Sequence, residues 1–205
     1  MIPGIDVSHY QGTIDWQKVK AAGIRFAYLK ATQGASFIDP MLFANYTGAK
    51  AAGIPIGLYH VFVANTGSEQ LRNWRKAQSL FVPQLPCWLD IEPGAVSEET
   101  GQQVTDMLQG FLAGHDMVYC SPATGDQLFS WEQEISDRDY GLAVAHYGVP
   151  EPRIPKPWTT FQFWQHSASG TVDGISASVD LDWFNGTEDE FQTSIRARAG
   201  IPMHR

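Results

Sequence analysis

The 205-residue chain has only two cysteines, Cys87 and Cys120, which is too few for the disulfide framework of a small secreted domain. We expect buried free thiols, and the sequence leaves a single bridge open. No apolar run approaches the roughly 18 residues of a membrane-spanning helix, so contact with a membrane is not predicted. The N-terminus has no basic start followed by an apolar run, and we therefore predict no signal peptide.

Charge and metal-binding patterns are also sparse. Charged residues make up 18% of the chain and its net charge is −8, which disfavours nucleic acid as a partner because that polymer needs clustered Lys and Arg. The six histidines do not pair at helical ligand spacing, and neither cysteine has a histidine nearby, so no metal site is predicted. Glycine-rich phosphate loops and the G-x-S-x-G elbow are absent, and we expect no cofactor.

Strand-like and helix-like segments alternate along the first half of the chain. Asp39, just before Pro40, is the predicted N-cap of the second helix, and Gly53 is its C-terminal stop. This alternation predicts a parallel sheet with helical crossovers. The predicted strands are 2–7, 25–31, 56–62, 87–91 and 117–120, and the predicted helices are 15–22, 40–52, 68–81 and 97–113.

After Cys120 the pattern changes. Three further strands are predicted, at 141–145, 160–165 and 179–181, but the connections between them show little helical periodicity. Eight strands with fewer than eight helices predict an α/β fold, an irregular TIM-like β/α barrel. Because no repeat or linker interrupts the chain, residues 1–205 are predicted to form a single domain.

The most informative motif is the acidic run Trp-Leu-Asp-Ile-Glu-Pro at 88–93. A strand places Asp90 and Glu92 on one face, and paired carboxylates are what cleavage of a glycosidic bond requires. The alternative is an acidic strand end that faces solvent. Asp6 and Tyr119 also fall at predicted strand ends, where barrels of this type gather their functional groups, which favours catalysis.

Several motifs in order along the chain resemble those of the glycoside hydrolase family 25 muramidases, the Chalaropsis-type lysozymes of bacteria and their phages. The resemblance covers nearly the whole chain, and the order of the motifs makes it far more specific than any one of them. The matching stretches are GIDVSHYQGTIDW at 4–16, LKATQG at 29–34 with FIDP at 37–40, AAGIPIGLYHVF at 51–62, WLDIEP at 88–93, LAVAHYG at 142–148 and FWQHSASGTVDGISASVDLDWFNG at 163–186.

The resemblance implies a role for each matching position. Glu92 resembles the general acid, with Asp90, Asp6 and Asp180 as the other catalytic carboxylates. Net retention of configuration is implied, and the sequence leaves open whether Asp90 attacks directly or orients the 2-acetamido group of the substrate. The positions that resemble residues lining the cleft are Tyr59, Tyr119, Trp164 and Gln165.

Two positions depart from the family pattern. Gln33 stands where many members have Glu, and Asp182 stands where Asn is frequent. The first departure removes a charge from the expected cleft. The second adds an acid beside Asp180, which either raises the local pKa values or faces solvent.

The resemblance implies hydrolysis of the β-1,4 bond between N-acetylmuramic acid and N-acetylglucosamine in peptidoglycan strands. A non-catalytic glycan-binding barrel and a tail-associated phage muramidase are the alternatives. We expect a monomer, made in a host cytoplasm and acting on the cell wall in the manner of a phage endolysin, while a secreted bacterial origin stays open.

Overall fold

The computed structural model describes residues 1–64, 67–95, 117–131 and 140–198. The predicted helix at 97–113 lies outside these ranges. Within the described ranges, eight strands of one β-sheet close into a barrel. A short ninth strand pairs with one of them and forms a hairpin. The strands are β1 Ile2–Val7, β2 Phe26–Gln33, β3 Phe37–Ile38, β4 Ile56–Val61, β5 Trp88–Ile91, β6 Met117–Cys120, β7 Gly141–Ala145, β8 Phe163–Gly170 and β9 Val179–Phe184.

The irregular β/α barrel expected from the sequence is confirmed, with one correction to its strand directions. From β1 through β2, β4, β5, β6 and β7 to β8, neighbouring barrel strands pair parallel. The last strand, β9, runs antiparallel to both β8 and β1 and closes the barrel. Only residues 171–178 join β8 to β9, and a parallel crossover needs a dozen or more residues, so the chain returns antiparallel.

Two helices that the sequence analysis did not predict have clear N-terminal signals. Ser121 precedes Pro122, and its Oγ accepts the backbone N–H of Thr124 at 3.1 Å. Thr187 and Glu190 form a reciprocal capping box, in which the Glu190 carboxylate accepts the Thr187 backbone N–H at 2.7 Å. The α-helices in the described ranges are α1 Trp16–Ala21, α2 Leu42–Ala51, α3 Gly67–Gln78, α4 Pro122–Trp131 and α5 Glu188–Arg198.

The predicted N-cap of α2 was wrong. The helix begins at Leu42, and Asp39 instead joins the start of α2 to the loop after β1. One carboxylate oxygen of Asp39 accepts the Met41 backbone N–H at 2.9 Å, and the other contacts both the backbone N–H and the ring Nδ1 of His9. Pro40 lies in the turn between Asp39 and Met41. Gly53, with φ +69°, follows the last turn as expected.

The interior of the barrel is filled by aromatic rings below its open end. Tyr28 stacks on Trp88 with ring centroids 3.5 Å apart, and Phe163 packs edge-on against both. Gly57 makes room for this stack, since a Cβ there would lie 2.1 Å from the Tyr28 ring. Such packing fills the lower barrel, and the open space described below lies near the carboxyl ends of its strands.

A second apolar layer lies between the barrel and its helices, and it includes Trp16, Trp74 and Leu128. Cys87 and Cys120 are both buried and neither is in a disulfide, so the bridge that the sequence left open is not formed. Among the described residues, no helix is long and apolar enough to cross a bilayer.

A buried histidine connects the second layer to the barrel. Thr32 Oγ1 lies 2.6 Å from His60 Nδ1, and His60 Nε2 lies 3.2 Å from Gln70 Oε1 on α3. Gln70 Oε1 also accepts the Val63 backbone N–H, so Nε2 carries the ring proton and Nδ1 accepts the hydroxyl of Thr32. Burial lowers the pKa of His60 to about 4, and the ring is neutral at physiological pH.

We predict an acid-dependent loss of stability from His60. Because its pKa is about 4 in the folded chain and near 6.5 when unfolded, the free energy of unfolding falls as pH drops through this interval. The pKa shift corresponds to a loss of about 3 kcal/mol in the free energy of unfolding, and the loss is complete below pH 4. Urea unfolding of the wild type and His60→Gln between pH 4 and 7 measures the difference. Parallel pH dependences of the two chains would contradict the prediction.

Candidate active site

The open end of the barrel holds a cavity of about 480 Å³. All four acids singled out in the sequence line it, namely Asp6, Asp90, Glu92 and Asp180. Apart from Val7 and Val61, the remaining lining is polar and aromatic, and it includes Ser8, Tyr10, Gln11, Lys30, Gln33, Tyr59, Trp88, Tyr119 and Gln165.

Strand geometry explains why these acids meet. Asp6 near the end of β1 is paired directly with Asp180 on antiparallel β9, although 173 residues of chain separate them. Asp90 lies on β5, and Glu92 follows immediately after that strand on the same face. Asp6 and Asp90 are buried, Asp180 is half-buried, and Glu92 is exposed to solvent.

Gln165 orients Asp6. Its Nε2 donates to Asp6 Oδ2 at 2.6 Å, while its Oε1 accepts the hydroxyl of Tyr119 at 2.7 Å and also that of Tyr147. Because two phenols donate to Oε1, the amide must turn its NH₂ toward Asp6. Burial raises the pKa of Tyr147 to about 12, so this phenol remains a donor.

Tyr147 and Tyr10 were not identified from the sequence as site residues. Tyr147 lies within the LAVAHYG stretch, and its hydrogen bond to Gln165 places it beside the cavity. Tyr10 lines the cavity from the short 3₁₀ helix after β1 with 75% of its surface exposed, a position suited to stacking on a sugar ring. Both belong to matched motifs, so the signal was available.

Burial and mutual repulsion control the charges of the acids. Burial raises the pKa of Asp6, and the neighbouring carboxyls of Asp182 and Asp180 raise it further. Burial also raises the pKa of Asp90, with a further contribution from Glu92. Such a cluster cannot ionise as independent groups, so protons leave it in coupled steps.

Among the described residues that line the cavity, Lys30 is the one basic side chain. Its Nζ donates to Gln33 Oε1 at 2.7 Å, and its charge lowers the pKa of Asp90, against the effect of burial. Burial lowers the pKa of Lys30 itself, while Asp90 and Asp39 raise it. The amide of Gln33 holds the ammonium in place without adding a negative charge to the cavity.

Lys30→Met is predicted to move the acid limb of the pH profile upward. Without the ammonium, burial and Glu92 raise the pKa of Asp90 unopposed, so ionisation of Asp90 requires a higher pH. Removal of one close opposite charge corresponds to a shift of about one pH unit. Measurement of kcat/KM against pH tests this, with the exposed Lys76→Met as the control. Superimposable acid limbs would show that Lys30 does not control Asp90.

Of the four residues expected to line the cleft, Tyr59, Tyr119 and Gln165 do so, and Trp164 does not. Trp164 is 4% exposed and lies in the layer outside the barrel, where its Nε1 donates to the His146 carbonyl at 2.8 Å. Side chains alternate along β8, so neighbouring Gln165 and Trp164 must face opposite sides. The strand can present only one of them to the cavity.

A barrel whose open end gathers four carboxylates and exposed aromatic rings has the architecture of a glycoside hydrolase. Within the described ranges, no group of three or more His, Cys, Asp or Glu side chains is arranged to hold a metal ion. Residues 5–175 match the model of glycosyl hydrolases family 25, and the chain belongs to this family.

Characterised relatives agree with this assignment over most of the chain. Lysozyme M1 of Streptomyces globisporus is 35% identical over 205 residues, a match that spans 91% of this chain and 68% of that protein. The N,O-diacetylmuramidase of Chalaropsis sp is 37% identical over 205 residues, a match that spans 87% of this chain and 96% of that protein. The crystal structure of the bacterial lysozyme from Streptomyces coelicolor superposes with a TM-score of 0.82, at 30% identity and 98% coverage of both chains.

Proposed function

We propose that this protein is a lysozyme-type muramidase, which hydrolyses the β-1,4 bond between N-acetylmuramic acid and N-acetylglucosamine in bacterial peptidoglycan. The observation that carries this is the meeting of the four motif acids in one cavity of a family 25 barrel. A barrel that only bound glycan would not need these four acids. Its site of action is the cell wall, and its production in a phage host remains a prediction.

Each acid then has a role that fits its position. Glu92, which is exposed to solvent just after β5, is placed to protonate the leaving glycosidic oxygen. Asp90, behind it on β5, either attacks the anomeric carbon or orients the 2-acetamido group that does so. Asp6 and Asp180, held together across β1 and β9, contact the sugar from the opposite side of the cavity. Either route gives net retention.

The polar side chains supply binding. Tyr59, Tyr119 and Gln165 line the cavity and offer aromatic surface and hydrogen-bonding groups to a sugar chain. We propose residues 1–205 to act as one catalytic domain and as a monomer on peptidoglycan strands. The net charge of −8 supports a partner other than nucleic acid.

The function is tested by the loss of turbidity of purified peptidoglycan together with analysis of the new reducing ends. A muramidase yields fragments that end in reducing N-acetylmuramic acid, whereas a glucosaminidase yields reducing N-acetylglucosamine. An amidase yields no new reducing ends, and a binding module leaves the turbidity unchanged. Any of these three other outcomes would refute the proposal.

A further inference from the structure

Asp182 lies under the cavity and outside its lining. It follows Asp180 by two residues on β9, so both side chains point into the barrel. The strand register places Asp182 beside Gly4 of β1 and Gln165 of β8, one step deeper than the Asp6–Asp180 pair. Only 1% of its surface is exposed.

Among the described residues, no N–H group or hydroxyl stabilises a negative charge on the carboxyl group of Asp182. Neither of its oxygens accepts a hydrogen bond from the part of the chain that the structure describes. Its polar contact is the carboxyl group of Asp6, which lies within hydrogen-bonding reach. A buried ionised carboxylate without donors is far more costly than a neutral carboxyl. Two touching carboxyl groups are compatible when one of them supplies a proton.

The environment of the two acids decides where that proton lies. Asp6 already receives a hydrogen bond from Gln165 Nε2 at 2.6 Å, which favours its ionised form. Asp182 receives none and is shut off from solvent. The proton therefore belongs on Asp182, which then has an O–H to donate and an acceptor in front of it.

We propose that Asp182 is a positioning residue of the active site, which retains a proton beneath the cavity and donates it in a hydrogen bond to Asp6. The inference rests on the proposed function, because it gives Asp6 its task in the cavity. Gln165 and Asp182 then fix the Asp6 carboxylate from two directions. Burial raises the pKa of Asp182 and the charge of Asp180 raises it further, while the hydrogen bond with Asp6 lowers it. The hydrogen bond from Gln165 to Asp6 therefore carries the assignment of the proton.

This arrangement makes the site sensitive to alkali. The carboxyl groups that face Asp182 are Asp6 from β1 and Asp180 from its own strand, while Gln165 from β8 is neutral. When Asp182 loses its proton, Asp6 loses a donor and gains a like charge. An asparagine amide would donate the same hydrogen bond at every pH, so the aspartate adds a pH limit that an amide lacks.

The first experiment compares pH profiles of kcat/KM on purified peptidoglycan. For Asp182→Asn, we expect the alkaline limb to move up by about one pH unit, because the donor can no longer ionise. For Asp182→Leu, we expect a loss in kcat of about tenfold or more across the profile, since no donor remains. The exposed Asp173→Asn is the matched control. An alkaline limb that does not move in Asp182→Asn would overturn the proposal.

The second experiment detects the proton itself, whether or not the enzyme turns over. Infrared spectra of protein with isotope-labelled aspartate should show a protonated-carboxyl C=O band at pH 7 that Asp182→Asn removes and Asp173→Asn retains. A spectrum unchanged by Asp182→Asn would overturn the proposal even if hydrolysis is normal. Conversely, a wild-type protein with this band but no hydrolysis would refute the proposed function and leave the Asp182–Asp6 hydrogen bond in place.

Discussion

Replacement of Glu92 by Gln is expected to lower the rate of peptidoglycan hydrolysis by about 10²–10⁴-fold, the usual contribution of general acid catalysis. The amide has nearly the same shape as the carboxyl group but has no acidic proton to give to the leaving oxygen. Glu92 is exposed to solvent after β5, so the substitution should leave folding unchanged. Turbidity assays on the purified variant measure the loss, and circular dichroism verifies the fold.

The exposed Glu151→Gln provides a matched control, since it makes the same chemical change away from the cavity. Its activity should equal that of the wild type. A folded Glu92→Gln enzyme that lysed cell walls at the wild-type rate would show that another group delivers the proton. Asp180, which faces the same cavity, would then be the next residue to substitute.

Asp90→Asn is expected to reduce hydrolysis by about 10³-fold, because either retaining route needs this carboxyl group next to the anomeric carbon. Asp90 is 6% exposed, and its Oδ1 has no hydrogen-bond partner among the described residues. Burial and the charge of Glu92 raise its pKa, while the ammonium of Lys30 lowers it. We expect Asp90 to act by orienting the 2-acetamido group of the substrate, a role that needs the ionised carboxylate as much as direct attack does.

A pair of substrates separates the two routes. With substrate assistance, removal of the N-acetyl group from the sugar at the cleavage point should abolish turnover while binding changes far less. Direct attack by Asp90 instead predicts a glycosyl-enzyme that a 2-fluoro sugar would trap and mass spectrometry would detect. Appearance of that adduct on Asp90 would overturn the substrate-assisted expectation. The overall pH profile should be bell-shaped, with limbs that belong to the coupled acids.

Local patterns in the sequence were sufficient for much of the barrel and for one side of its site. The spacing of Asp90 and Glu92 places both on one strand face, and this depends only on the period of a β-strand. The first four barrel strands and three helices follow from local periodicity in the same way. Ser121 and the Thr187–Glu190 pair show that even the two missed helices carried local signals, which were present but unused.

Residues far apart in the chain were joined by the tertiary structure alone. Because β9 runs antiparallel between β8 and β1, Asp180 faces Asp6 across the seam where the barrel closes. The same seam determines that the side chain of Gln165 points into the cavity and that of Trp164 points away from it. Local periodicity does not reveal which face of a strand turns inward when both faces are buried.

The sequence by itself therefore determined the family, the alternation of strands and helices and the identity of the four acids. How deeply each acid is buried was decided by the closure of the barrel. Asp180 and Asp182 are two residues apart on one strand and chemically identical, yet one lines the cavity and the other lies buried beneath it. The physical reason is that exposure and pKa depend on neighbours from β1 and β8, which only closure brings into contact.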